Sequence, residues 1–421
     1  MIFKRALICF SLMTLLSAPA WGISLEDAQN EALRNSESAH IGQYRTEAMR
    51  QSARQSSASV KPQVRFSGNA LKMGTNAEDN PLIPYPETEI SATIEGSQLL
   101  WAGGRLYKSL HLERTIKTQS TLLGAIYKRD IRTQVRNAYY GAMLRASLLH
   151  ILEDRVLQRQ RELRDASDLR AAGMVTSLDV RQARLNLNLS EDALLEGQND
   201  YRDSLVELTL VMGRDVDTGT FPEPDGELQR AADLISKVGL LHKAVENQEV
   251  LTLRQANAQM QAAELSYGIA RTGRIPELSL IGTATSSGED TSEMSEQWAA
   301  GLRLSIPIFD GGLISSSKAK AHAEYSAAKE QLSQIRKSLL AEAVRLNIKA
   351  HSMEERISLK EENMWLAEQN YEDARGQYRE GMITLTNLEA FNLAYAETRF
   401  QLMRQYWEQQ GLMTRILALL E

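Results

Sequence analysis

A single cysteine, Cys9, is all the thiol this 421-residue chain has, and it lies inside an apolar N-terminal run. With that run removed there is no disulfide, no thiolate chemistry and no cysteine metal site. Histidine is equally sparse: six residues, scattered, without a His-x-x-x-His pair. The two double glycines, Gly103-Gly104 and Gly311-Gly312, lack the Lys-Ser/Thr of a phosphate loop, so a turn into a helix explains them better. Positive charge is in deficit: 48 Lys and Arg against 54 Asp and Glu give −6, which excludes a general basic face for nucleic acid. Beyond residue 20 no stretch is apolar enough for a transmembrane helix. That absence leaves open an outer-membrane protein, whose alternating strands escape a hydropathy scan. No catalytic residue, cofactor or metal is expected, and the chain does not read as an enzyme.

What is present begins with a secretory leader over residues 1–20. Lys4 and Arg5 precede the apolar run Ala6 to Leu16, and Ala18-Pro19-Ala20 fits the small-x-small cleavage rule, with Gly22 an alternative boundary. Removing residues 1–20 takes the formal charge from −6 to −8. Cys9 has the wrong flanks for lipid attachment.

The mature chain says one thing twice, 208 residues apart. Trp101-Ala102-Gly103-Gly104-Arg105 returns as Phe309-Asp310-Gly311-Gly312-Leu313, and Ala172-Gly173-Met174-Val175-Thr176 returns as Glu380-Gly381-Met382-Ile383-Thr384. A repeat of that length, with its internal spacing kept, points to two copies of one rigid unit. The expected organisation is a first repeat over 23–213, a linker crossing the helical rod at mid-height over 214–232, and a second repeat over 233–421.

Proline marks where long helices can live. Residues 87–221 and 308–421 contain none, and a proline in a helix interior costs about 3 kcal/mol. Between each double glycine and its later glycine the sequence predicts one uninterrupted helix, roughly 105 Å long. Such a rod cannot bury itself alone and needs coiled-coil partners. Leu144, Leu148, Ile151, Leu152 and Val156 form an apolar stripe in the first copy, and Ile335, Leu339, Val344 and Leu346 a looser one in the second. Antiparallel hairpins turn at Gly173 and Gly381. Flanking helices are expected over 25–59, 177–212, 233–272 and 385–420.

The proline-rich parts alternate instead. Val64, Phe66, Gly68 and Ala70 share one face; so do Ile90, Ala92, Ile94 and Gly96; so do Leu278, Leu280, Gly282 and Ala284; so do Trp298, Ala300, Leu302, Leu304, Ile306 and Ile308. Period two means strands with one dry face and one wet face. Each copy should hold one hairpin, with a long loop near 74–86 or 287–296. Four strands cannot close a membrane barrel, since the smallest have about eight, so strands in lipid force association. A four-stranded soluble sheet on helices is the alternative.

Strand hairpin, double glycine, long helix, glycine turn and return helix, duplicated behind a leader, resemble the TolC-like outer membrane efflux protein family. Specific matches are Leu25-Glu26-Asp27-Ala28, Val60-Lys61-Pro62, Arg274-Ile275-Pro276, the strand-to-helix run Pro307-Ile308-Phe309-Asp310-Gly311-Gly312 with its sister Gln98 to Arg105, and Gly173 through Ala183. The resemblance covers essentially the whole mature chain. It implies a mainly α fold with a β-barrel part: an antiparallel coiled-coil tunnel in the periplasm, and four strands per chain in a 12-stranded trimeric barrel in the outer membrane. The implied function is the passive exit duct of a tripartite efflux pump or type I secretion system. The implied partners are two further copies of the chain, outer-membrane lipid, a periplasmic adaptor, and an inner-membrane transporter of RND, ABC or MFS type. A periplasmic coiled-coil scaffold without a pore is the competing reading.

The resemblance also implies roles for single residues. Tyr378 and Asp179 match a hydrogen-bonded latch at the closed periplasmic end. Gly173, Met174, Val175 and Thr176, with Gly381, Met382, Ile383 and Thr384, match the adaptor-docking turns. Asn387 and Ala390 stand where better-known members carry paired aspartates at the pore constriction, which puts strong cation selectivity in doubt.

Overall fold

A computed structural model describes residues 22–72, 88–216, 221–290 and 294–421. The elements run α1 (Leu25–Asn35), α2 (Glu37–Ala58), β1 (Gln63–Lys72), β2 (Thr88–Trp101), α3 (Arg105–Ala171), α4 (Ser177–Val211), α5 (Leu234–Glu246), α6 (Leu251–Ala270), β3 (Glu277–Gly288), β4 (Ser295–Ser305), α7 (Leu313–Arg379) and α8 (Leu385–Leu420). The two long helices α3 and α7 are each 67 residues without interruption. By contact the chain divides into two compact units, each drawing on both halves of the sequence. One comprises 1–36, 131–232 and 352–414; the other comprises 37–130, 233–351 and 415–421.

The second unit contains the sheet. Its order is β1-β2-β3-β4, and every neighbouring pair is antiparallel. The two expected hairpins are present, and β2–β3 pairing joins them. The registers keep the dry face continuous across all four strands: Phe66 lies opposite Ile94, Ile94 opposite Ala284, and Ala284 opposite Trp298. On the other face Arg65 lies opposite Glu95, and Thr93 and Thr285 hydroxyls meet at 3.1 Å. A bulge between Leu99 and Trp101 shifts the alternation, so that Trp101 comes opposite Leu278 on the dry face. Among the described residues that face has no cover: Phe66 is 70% exposed and Trp298 83%. Among the described residues β1 and β4 are paired on one side only.

Several boundaries differ from expectation. The helix expected over 25–59 breaks at Ser36, whose backbone is extended; a Cβ at Gly213 would stand 2.6 Å from Ser36 Cα, so the break lies directly against the end of α4. The helix expected over 233–272 breaks after Glu246. Gln248 there is left-handed (φ 59°), and the Glu249 N–H bonds the Ala244 carbonyl at 2.9 Å, which ends a helix as a glycine would. β4 stops at Ser305, because Pro307 has no N–H for a ladder, and Ile306 and Ile308 lie beyond it. The β3–β4 ladder runs to Ser287–Ser295, which shortens the loop placed near 287–296; the 74–86 loop lies outside the described residues. In α7 the buried seam is Ala343, Leu346, Ala350, Ile357, Ala367, Tyr371, Ala374 and Tyr378, while Val344 is exposed. The 3–4 spacing is that of a heptad seam.

Where the second unit's helices meet its sheet, Glu113 of α3 is buried under three donors. It accepts from Lys117 Nζ at 2.6 Å, Lys61 Nζ at 2.8 Å and the Ser57 hydroxyl. These partners hold its pKa at about 2, against an ordinary 4.5. Because the folded value is depressed, the stability Glu113 contributes is full above the unfolded pKa and is lost as pH falls from 4.5 towards 2. Glu113→Gln should therefore lower the thermal midpoint at pH 7, and the gap to the unaltered protein should narrow across that window. A gap independent of pH would show that the carboxylate charge is not what matters.

Candidate functional site

In the first unit, four helix ends converge on the two glycine turns. Both turns are built alike. Gly173 and Gly381 each have φ 74°. The Gly173 N–H bonds the Arg170 carbonyl and the Met174 N–H bonds that of Leu169; Gly381 and Met382 repeat this with Tyr378 and Gln377, all at 2.9 Å. This 5→2 and 6→1 pattern closes a helix and needs a left-handed residue, which glycine supplies without strain. The return helices start on threonine. Thr176 caps α4 in a full capping box: its hydroxyl accepts from the backbone of Leu178 and Asp179, and Asp179 Oδ2 accepts from Thr176 N and Oγ1, both at 2.7 Å. Those bonds depress the Asp179 pKa. In the second copy the Thr384 hydroxyl accepts from the Asn387 N–H at 3.3 Å. Asn387 is thus the counterpart of Asp179, and it is exposed.

Behind the turns lies a core of Ala166, Leu169, Ala183, Ala374, Tyr378, Leu385 and Leu388, with Val175, Val180 and Ile383 packed on it. Val175 and Ile383 are therefore partly spent in packing, while Met174 and Met382 stay exposed. Met174 reaches the second copy: a Cβ at Gly381 would stand 2.6 Å from its Cε, whereas one at Gly173 would meet nothing within 4 Å.

Tyr378 is 1% exposed, and its hydroxyl has no hydrogen-bond partner among the described residues. Burial, then the negative charges of Asp179, Asp165, Glu162 and Glu389, push its pKa up to about 12. It is a protonated donor without an acceptor, near Asp179 but not bonded to it. One polar cluster was missed in the sequence. Glu162 accepts from Arg159 Nη1 and from Asn392 Nδ2, both at 2.7 Å, and Tyr371 Oη lies at 3.4 Å from it. The available signal was an Arg-Glu pair three residues apart on the seam of α3, both buried.

The strand-to-helix turns sit in the second unit. Gly103, Gly104, Gly311 and Gly312 all have positive φ. Gly103 lies against Ile275, leaving no room for a side chain. Asp310 caps α7, accepting from Gly312 N at 3.1 Å and Ile314 N at 2.6 Å, which lowers its pKa; the first copy has Ala102 there. Pro307 ends the sheet. Among the described residues no helix is long and apolar enough to cross a membrane, and no group of three His, Cys, Asp or Glu is placed to hold a metal.

Paired long-helix hairpins joined to an antiparallel sheet with one bare apolar face define an outer membrane channel protein, and known proteins agree. The pattern of the Outer membrane efflux protein family matches residues 28–214 and 240–410, and the chain belongs to that family. TolC of Vibrio cholerae is 22% identical over 335 residues, which are 75% of this chain and 72% of that one. OprJ of Pseudomonas aeruginosa is 27% identical over 187 residues, 43% of this chain and only 37% of OprJ. The crystal structure of VceC from Vibrio cholerae superimposes with a TM-score of 0.81 at 19% identity, covering 94% of this chain and 96% of VceC.

The difference between the two glycine turns is measurable. Forcing an L-residue into the left-handed region costs about 1–2 kcal/mol. Gly173→Ala should lower stability by about that amount, and Gly381→Ala by more, because Met174 stands in the way. In a Met174→Ala background the two substitutions should become equal in thermal or denaturant unfolding. A difference that survives would place the extra strain elsewhere.

Proposed function

We propose that this protein is the passive exit duct of a tripartite export assembly, working as a homotrimer. The observation that carries the proposal is the sheet: four strands with one mainly apolar face, interrupted by Gln98 and Glu296, and with two edges unpaired among the described residues. Strands of 10 to 14 residues suit a tilted crossing of the hydrocarbon layer, which needs about 9–11. In lipid an unpaired strand edge is untenable. Pairing β4 of one copy with β1 of the next removes both edges, and three copies give a barrel of about twelve strands, within the known range. The exposed aromatic and aliphatic face then meets lipid, while Arg65, Glu95 and Arg303 face water in the lumen.

The helices below the barrel carry the conduit into the periplasm. The turns at Gly173–Thr176 and Gly381–Thr384 take the periplasmic adaptor, and an inner-membrane transporter of RND, ABC or MFS type supplies energy. The family's description, Outer membrane efflux protein, is consistent with export, but which compound or protein is moved lies with the transporter. Tyr378 serves the gate. Its hydroxyl keeps its proton through the physiological range, and Asp179 uses Oδ2 alone in its cap, leaving Oδ1 to accept when the closed end tightens. With Asn387 and Ala390 at the constriction, the pore has no acidic ring there and discriminates weakly between cations and anions.

Reconstituted in planar bilayers, the mature protein should conduct, and Tyr378→Phe should raise that conductance several-fold while preserving thermal stability. Unchanged conductance would remove the latch, and a protein that never conducts would remove the duct. In cells, Gly173→Trp should block export while the protein still reaches the outer membrane in heat-modifiable form. Normal export by that variant would move the adaptor contact away from the turns.

A further inference from the structure

Where the helices of the second unit leave the sheet, a cavity of about 610 Å³ opens between α3, α6 and α7. Sites for small molecules span about 300–1,000 Å³. Its polar lining comes from Lys108 and His111 of α3, Glu264 and Tyr267 of α6 with the C-cap residue Arg271, and Tyr325 of α7. The cavity has a definite side. Arg105, at the start of α3, pairs with Glu277 on the wet face of β3. Successive helix residues turn by about 100°, so Tyr107 projects about 200° away from Arg105, towards the side of the dry face. Tyr107 is exposed, and His111 lies beside it with ring centroids 6.1 Å apart. The cavity therefore opens on the side that the proposed barrel turns to lipid.

Its charges are ordered along α6, which runs up towards β3. Arg271 stands nearest the sheet. Lys108 Nζ reaches the Gly268 carbonyl at 3.0 Å. Glu264 lies one turn farther from the sheet, so about 10 Å separates the levels of Arg271 and Glu264. Among the described residues neither cation pairs with a carboxylate and no cation bonds Glu264: Lys108 has the carbonyl, and Arg271 lies 5.8 Å over the Tyr267 ring. Tyr267 stacks on Tyr325 at 6.3 Å and meets His322 edge-on. Running away from the sheet, the order is thus two cations, then a carboxylate with aromatic rings beside it. A ligand that matches carries its negative charge next to hydrocarbon and its positive charge beyond. Basic residues at a membrane surface attract lipid phosphates, and aromatic faces attract ammonium groups.

We propose that this cavity holds the headgroup of a glycerophospholipid of the periplasmic leaflet in which the phosphate is followed by a primary ammonium, as in an ethanolamine lipid. Arg271 and Lys108 take the phosphate. Glu264 takes the ammonium beside Tyr267 and Tyr325, and the acyl chains lie up the dry face of β2 and β3. A lipid with an uncharged group beyond its phosphate leaves the Glu264 carboxylate without a partner. The inference rests on the lipid-facing sheet proposed above and names the lipid class selected where that sheet meets its helices.

Native mass spectrometry of the detergent-solubilised protein tests this with two lipids of identical acyl chains, a phosphatidylethanolamine and a phosphatidylglycerol. The unaltered protein should retain the phosphatidylethanolamine several-fold better, one per chain. Glu264→Gln should abolish that preference, Glu264→Lys should reverse it, and Arg271→Ala should weaken both lipids alike. Glu264 and Arg271 are exposed, so these replacements spare the core. Equal retention of the two lipids by the unaltered protein, or a preference untouched by Glu264→Gln, would overturn the inference; conduction in planar bilayers alongside either result would leave the exit duct standing. Soluble glycerophosphoethanolamine competing as well as the lipid would also overturn it, because the acyl chains would then contribute nothing. A mature chain that stays in solution without detergent and retains neither lipid would overturn both readings.

Discussion

A backbone N–H or C=O facing hydrocarbon has no water to bond, and the proposed assembly turns on that constraint. Four strands satisfy their inner edges through β1–β2, β2–β3 and β3–β4, but among the described residues the outer rims of β1 and β4 have no strand partner, and in the proposed trimer a neighbouring copy supplies it. The dry face on Phe66, Ile94, Leu280 and Trp298 adds the second half of the requirement, since it is bare in the isolated protomer. Soluble proteins rarely leave so continuous an apolar surface open. In the proposed trimer a single copy is therefore incomplete at its sheet.

Duplication has not left two identical halves. Asp310 caps the second long helix where the first has Ala102; Asp179 completes a capping box where the second copy has Asn387; Met174 is seated and Met382 is not. Each difference falls where the halves meet or where a helix starts. The coiled-coil seams differ too. α8 carries Asn392, Gln405 and Gln409 at buried positions, and Gln409 bonds both Glu354 and the Ala231 backbone. Polar residues in a seam fix register at some loss of stability, which suits a bundle that must hold turns at defined heights.

The long helices, the four strands and the glycine turns were legible in the sequence because each has a strong local signature: missing proline, period-two alternation, and glycine where a left-handed residue is required. Breaks at Ser36 and Gln248 were not, because neither residue is a breaker by type; Ser36 lies against Gly213, and Gln248 adopts a conformation usually left to glycine. The α7 seam was misplaced at Val344 for a related reason. Alanines at 343, 350, 367 and 374 do the packing, and alanine is a weak hydrophobic signal. The turns were found, but the Glu162–Asn392 pair 230 residues apart could not be read from local pattern, since only packing brings α3 against α8.

The β2–β3 ladder has a consequence in time. Ile90 pairs with Gly288, so the sheet's central seam waits for nearly two hundred further residues. At about 5–20 residues per second, the first hairpin emerges roughly ten to forty seconds before its partner exists. Through that interval it offers an open strand edge and a greasy face to its surroundings, the combination most prone to aggregation.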